Sequence, residues 1–257
     1  MPDDGWIELP QGARVHREEI KMAFDESLKD PTTPERGIII TRGGNVLGRE
    51  TGQQGSIDFP SWTFKHDTTH THPAIHQYVQ GPRDEATMLH PIEEGTFIRD
   101  MPSAIDMSNA VTLSRAKRVL SSGRYDNDAV VTEFTPPLDV EPRKAISQYI
   151  AGKISDDEVS SQLKDNTVED VYYDEYKKTP ASTYPSLRRA APATARRIGG
   201  ELRRIEMVKD DDGSIHVLKI SSTKKEVPDY RVAAALPAPM KIKIPKMKLP
   251  LLRSIIR

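Results

Sequence analysis

Four of the seven histidines in this chain fall within one short window, at His66, His70, His72 and His76. The pair at His70 and His72 is the informative one. Residues two apart on a β-strand point to the same face, so imidazoles at this spacing can reach a single cation. Two histidines do not complete a metal site, because a catalytic zinc centre takes three protein ligands and keeps a fourth position open. Two carboxylates stand where they could join the pair. Asp106 lies in Pro102-Ser103-Ala104-Ile105-Asp106, at the start of a predicted helix, and Glu35 lies between a predicted helix and an apolar strand. The chain has no cysteine, which excludes thiolate zinc and iron–sulfur ligation, a Cys nucleophile and a disulfide framework. Any transition metal must be held by His and carboxylates.

Each of these features has an ordinary reading when taken alone. An HxH pair is most often a polar strand face, SxxD at a helix start is a capping box, and a single Glu is usually a surface carboxylate. Their conjunction, in this order along the chain, is what points to metal chemistry. Glu50 and Glu19 are the fallback carboxylates for the role of Glu35. His90-Pro91 reads as a turn rather than a second metal site.

The elements that must carry these residues follow from periodicity. Arg17–Leu28 places Ile20, Phe24 and Leu28 at helical spacing, closed by Pro31 and Pro34. Arg36–Thr41 is a short β-branched run, Gly43-Gly44-Asn45 turns the chain, and Val46–Thr51 returns as a second strand. Ser56–Phe59 reads as a third strand and Asp67–His72 as a fourth. Ser103–Ser122 reads as one long helix ended by Gly123, and Asp128–Phe134 as the strand that follows. This order predicts an α/β domain with a mixed sheet flanked by helices over residues 1–135.

Beyond Pro136-Pro137 the composition changes. Residues 136–185 are expected to form an acidic helical connector, with short helices at Arg143–Ile150 and Asp156–Leu163, the second capped by Ser155 and Glu158. Residues 186–257 are expected to form a partly extended, partly helical, basic and Pro-rich arm. Paired arginines at 188/189, 196/197 and 203/204 would make a basic stripe if 186–206 were helical, and Asp212-Gly213 marks a hairpin between Ile205–Lys209 and Ile215–Ile220.

The 257 residues carry 37 Lys and Arg against 38 Asp and Glu, and this balance conceals blocks of opposite sign. The net charge is −4 over 1–125, −9 over 126–176, and +6 over each of 177–206 and 207–257. The basic third is expected to dock on a protein partner or subunit, with nucleic acid or an anionic membrane surface as alternatives. The hydrophobic content is 36%, low for this length, so part of the chain is expected outside the core. No stretch has the apolar length of a membrane-spanning helix, and the acidic start is not a secretory signal. A cytoplasmic location, in a host cell or within a virion if the chain is viral, is the expectation.

His70-Thr71-His72-Pro73 followed by Pro102-Ser103-Ala104-Ile105-Asp106 resembles the HxHP…SxxD signature of the JAB1/MPN/Mov34 (JAMM) metalloproteases. Glu35, in Thr33-Pro34-Glu35-Arg36-Gly37-Ile38-Ile39-Ile40, stands at the helix-to-strand junction where that family has its general base. The Gly44–Phe59 stretch is similar to the versions found with phage head-morphogenesis and bacterial conflict or toxin proteins. The resemblance covers about residues 15–135. It implies an MPN-like, cytidine-deaminase-like fold, zinc held by His70, His72 and Asp106, Glu35 as general base and Ser103 as oxyanion donor. It also implies hydrolysis of a peptide or isopeptide bond in a protein substrate, such as a ubiquitin-like tail. One departure stands out: residues 73–102 separate His72 from Ser103, far more than the family places there. Asp84 lies nearer the usual distance but lacks the preceding serine and a following amphipathic helix, so Asp106 is the preferred third ligand. The insertion, with His76, His90 and Glu93-Glu94, would flank the active site. The readings from other classes are a non-catalytic virion assembly protein that keeps the fold, and a nucleic-acid-binding accessory protein acting through the basic arm.

Overall fold

The computed structural model describes residues 5–60, 66–76, 91–93, 96–97, 100–113, 115–123, 127–137, 148–149, 151–155, 158, 168–178, 185–224 and 232–234. A two-stranded ribbon, β1 (Trp6–Glu8) and β2 (Arg14–His16), leads directly into α1 (Arg17–Ala23). His16 caps this helix: its Nδ1 accepts from the Glu18 N–H, while the Glu19 carboxylate accepts from the His16 N–H at 2.8 Å. β3 (Arg36–Ile40), β4 (Val46–Thr51) and β5 (Asp67–Thr71) follow, then the short strands β6 (Ile75–His76), β7 (Pro91–Glu93) and β8 (Thr96–Phe97). α2 (Ala104–Leu113) is succeeded by β9 (Lys117–Ser122) and β10 (Asp128–Thr135). The remaining elements are α3 (Val168–Lys177), α4 (Pro185–Arg197), β11 (Glu201–Lys209), β12 (Ile215–Ser222) and β13 (Val232–Ala234).

Eight strands form one mixed sheet in the order β13-β12-β11-β10-β9-β5-β3-β4. Every pairing is antiparallel except β5 with β9. Alternation along the strands divides the apolar residues between two faces. One face carries Leu120, Ala129, Val131, Ile205 and Met207, covered by α1 and the β1–β2 ribbon through Ile20, Ala23, Ile7 and Val15. The other carries Phe134 and Leu202, covered by Met107 and Val111 of α2, Val168 and Tyr172 of α3, and Ala190, Ala191 and Ala195 of α4. The α/β class with a mixed, helix-flanked sheet is therefore present.

Three expectations are corrected. Ser103–Ser122 is not one helix: the helix stops at Leu113, and Lys117–Ser122 is a central strand. Val119 and Leu120 are almost fully buried between β5 and β10, and that tertiary slot overrides a sequence pattern that also suits a helix. Ser56–Phe59 contributes only an isolated bridge, Gln53 with Ser56. The basic helix expected over 186–206 ends at Arg197, where Gly199 takes a positive φ of 76° and Gly200 lets the chain pass against Phe134.

The boundary expected at 135 and the arm expected from 186 are corrected with them. β11 pairs with β10 from Glu201↔Thr135 to Val208↔Asp128, and Leu202, Ile205, Met207, Ile215, Val217 and Ile220 are core residues. Residues 185–222 are thus part of the folded body. Arg203 and Arg204 serve internal ion pairs: Arg204 reaches Asp100 Oδ2 at 2.6 Å, and Arg203 reaches Glu201 at 3.0 Å and Glu133 at 3.7 Å. The connector is helical at α3, which packs between α2 and α4. The Ser155–Glu158 capping contacts are present, with Ser155 Oγ donating to Glu158 at 2.9 Å. Most of Arg143–Ile150 and Asp156–Leu163, and everything beyond 234, lie outside the described residues. No helix among the described residues is long and apolar enough to cross a membrane.

Beneath α1, Arg118 is buried with its guanidinium against Glu133, 3.6 Å from Glu19 and 4.8 Å from the centre of the Trp6 ring. Burial opposes ionisation of Glu133, but Arg118 and then Arg203 outweigh it and hold the carboxyl below the usual range. Such a group contributes stability above its unfolded pKa of about 4.3 and loses it as pH falls through the lower folded value. Glu133→Gln leaves Arg118 undercompensated and is expected to cost about 3 kcal/mol at pH 7. Urea denaturation should show that deficit shrinking steadily below about pH 4.

Candidate metal centre

The centre is built on the helix-rich face of the sheet. Glu35 stands just before β3, held in line by its N–H to the Gln53 carbonyl (3.0 Å) and by the Gly52 N–H to its own carbonyl (2.8 Å). Gly37, two residues on, is the register partner of His70 on β5, so Glu35 and His70 occupy one face. His72 lies just past β5. Its N–H donates to the Leu120 carbonyl at 2.7 Å, which continues the parallel pairing with β9 and keeps the strand alternation, so it shares the face of His70. Thr71 between them points away, and its Oγ1 accepts from the Arg36 N–H at 2.9 Å.

Asp106 arrives from the first turn of α2. Ser103 donates to Asp106 Oδ2 from both its N–H (2.9 Å) and its Oγ (2.8 Å), and Ser103 Oγ accepts from the Asp106 N–H at 3.1 Å. This is a capping box, and it also fixes the carboxylate. Asp106 Oδ1 lies 3.4 Å from His70 Nε2, and Oδ2 lies 3.4 Å from His72 Nε2. The two Nε2 atoms are 2.9 Å apart, with the rings edge to face. A tetrahedral ion with bonds of about 2.0–2.1 Å requires ligand atoms about 3.3 Å apart, close to the two His–Asp separations. Glu35, His70 and His72 place ligand atoms within 4.8 Å of one another. All four residues are buried. This buried Glu35–His70–His72 group could hold a metal ion.

The electrostatics favour an ionised carboxylate. Burial alone would raise the Asp106 pKa, but the His70 ring, Lys117 and His72 outweigh it and hold the carboxyl well below its ordinary value. Lys117 Nζ is 3.2 Å from Asp106 Oδ1, with its side chain 12% exposed. Nδ1 of His72 has no hydrogen-bond partner among the described residues, although ligating imidazoles usually donate from their second nitrogen.

Of the residues expected from the sequence, Glu35, His70, His72, Ser103 and Asp106 come together. Glu19 does not: its carboxylate accepts from Thr69 Oγ1 at 2.5 Å on the opposite face of the sheet. Glu50 stands opposite Gly37 on β4 and is outside the group. Asp84, His90 and Glu94 lie outside the described residues, while His76 and Glu93 fall on β6 and β7 of a separate three-stranded sheet. Sequence reasoning missed Lys117, because it was read in mid-helix. The local signal is slight, since Val119 is the one β-branched residue in the Val119-Leu120-Ser121-Ser122 run that follows it.

Searches against family models, curated proteins and solved structures found no match to this chain. The functional reading therefore rests on the geometry of the centre. If the capping box holds the Asp106 carboxylate as a ligand, Ser103→Ala should weaken metal binding about 10- to 100-fold while the fold is retained. Competition with a chelator of known affinity measures this, and unchanged affinity would show that Ser103 caps the helix and does nothing more.

Proposed function

We propose that this chain is a JAMM-type zinc metallopeptidase that hydrolyses a peptide or isopeptide bond in a protein substrate. The observation that supports it is the convergence of two Nε2 atoms and one carboxylate, buried on a single face with Glu35 beside them. Two imidazoles and a carboxylate are the donor set of a catalytic zinc site that keeps a position open for water. His70, His72 and Asp106 would hold the ion. When bound, zinc lowers the pKa of a ligated water and polarises a carbonyl oxygen.

The residues of the chain supply the rest. Glu35 is the proton acceptor, since a carboxylate within reach of the attacking water can take its proton and return it to the leaving amine. Ser103 is a positioning residue, because its hydroxyl donates to Asp106. Serving as oxyanion donor, the role the resemblance implies, requires that same hydroxyl to leave Asp106. The burial of Glu35 and both histidines limits competing water.

Metal analysis of purified full-length protein is the first test, with about one zinc per chain expected and none in His70→Ala. A zinc-free chain from metal-replete preparation rejects the reading. Catalysis is tested separately by exposing the protein to a peptide library, with cleavage read by mass spectrometry. Glu35→Gln should keep its zinc and lose at least about 100-fold in rate. If the two proteins cleave equally, another group is the base.

A further inference from the structure

A cavity of about 300 Å³ opens beside the centre, at the small end of ligand pockets. Its floor is the sheet, where Thr68 and Lys117 are register partners across β5 and β9 on the His70 face. One wall is α2 and the turn that follows it, with Asn109 and Arg115. The other is Ile57 and Phe59, whose side chains fill the space that a Cβ at Gly37 would enter, 2.8 and 2.5 Å from that position. Gly37 pairs with His70 and Lys117 touches Asp106, so the cavity abuts the metal ligands on two sides. Its lining carries Lys117 and Arg115 with Asp58 and His66, and Lys117 is paired with Asp106 at 3.2 Å.

We propose that this cavity is the subsite for a carboxylate-bearing residue of the substrate next to the scissile bond. The carboxylate sits between Lys117 and Arg115, and its hydrocarbon stem lies on Ile57 and Phe59. The inference rests on the metallopeptidase reading of the adjacent centre. A Lys ammonium has three donors and no acceptor capacity, so one can face Asp106 while others face a ligand. The Arg guanidinium offers a planar fork that matches a carboxylate. Both act at a partly buried site, where charge interactions exceed their value in water. A side-chain carboxylate and a C-terminal carboxylate satisfy the same groups.

The test is equilibrium binding to the zinc-loaded full-length chain, measured by calorimetry with three small probes. N-acetylglutamate α-amide carries a side-chain carboxylate, N-acetylalanine a terminal one, and N-acetylglutamine amide neither. At least one carboxylate probe should bind about tenfold or more tightly than the neutral isostere. Which of the two does so identifies the source of the anion. Arg115→Met should abolish that preference without changing zinc content, and Arg115→Lys should recover part of it. Equal binding of all three probes overturns the proposal, as does a preference that survives in Arg115→Met, which would place the anion on the metal. An Arg115-dependent preference in a chain that takes no zinc upholds the anion site and removes the metallopeptidase reading. Zinc without the preference does the reverse.

Discussion

The parallel pairing of β5 with β9 is the constraint from which the candidate centre follows. Two parallel neighbours cannot be joined by a hairpin, so the chain must cross over a face of the sheet before it returns. α2 is that crossover, and its first turn must come near the end of β5 where the crossover starts. His70 and His72 occupy that strand end, and Asp106 occupies that first turn. The hydrogen bond from the His72 N–H to Leu120 locks the two together, because it extends the ladder up to His72 itself. Ligand sites in open α/β sheets form at carboxyl ends of strands for the same topological reason. The segment 73–102 lies inside this crossover. Its length leaves the geometry intact, since both ends are fixed by the sheet and by the capping box.

The same topology separates two charge systems that are adjacent in sequence. Lys117 and Arg118 are neighbours on β9, and strand alternation sends them to opposite faces. Lys117 joins Asp106 on the face of the candidate centre, while Arg118 is enclosed under α1 with Glu19, Glu133 and the Trp6 ring. A buried guanidinium is tolerable only with such partners, and Thr69 and His16 occupy further acceptor positions of Glu19. The ribbon, α1, β5, β9 and β10 therefore meet at one buried cation on the face behind the centre. Movement of that anchor would shift β5 and, with it, both histidines.

How much was legible in the sequence depended on whether a signal was local. The HxH pair, the SxxD capping box, the strands at 36–40 and 46–51 and the Asp212-Gly213 turn each declare themselves within a few residues. Lys117–Ser122 did not, because six residues that follow a helix read as its continuation until β5 and β10 are known to flank them. Arg203 and Arg204 are likewise expected from the sequence in a basic helical stripe of a docking arm. The partner of Arg204, Asp100, is 104 residues away in the chain, and that of Arg203, Glu133, is on the neighbouring strand. A charge pattern cannot distinguish a solvated stripe from ion pairs closed over such distances. The low apolar fraction had the same effect, since Arg118, Arg204, Glu133 and Asp100 fill interior positions that a sequence reading reserves for apolar side chains.

Charge balance at the centre links its chemistry to its neighbourhood. In the metallopeptidase reading a divalent ion and Lys117 would bring three positive charges to the centre, against the ionised carboxylate of Asp106 and the neighbouring Glu35. The imidazoles are neutral as ligands. A buried site left with a positive surplus is costly until an anion enters it, and Lys117 and Arg115 both line the adjoining cavity. In the metallopeptidase reading, that surplus would favour a substrate that delivers a carboxylate to the cavity. Lys117 lies at the junction of the two. A neutral residue there would remove one of the charges that keep Asp106 ionised, together with the group that ties this carboxylate to whatever the cavity holds.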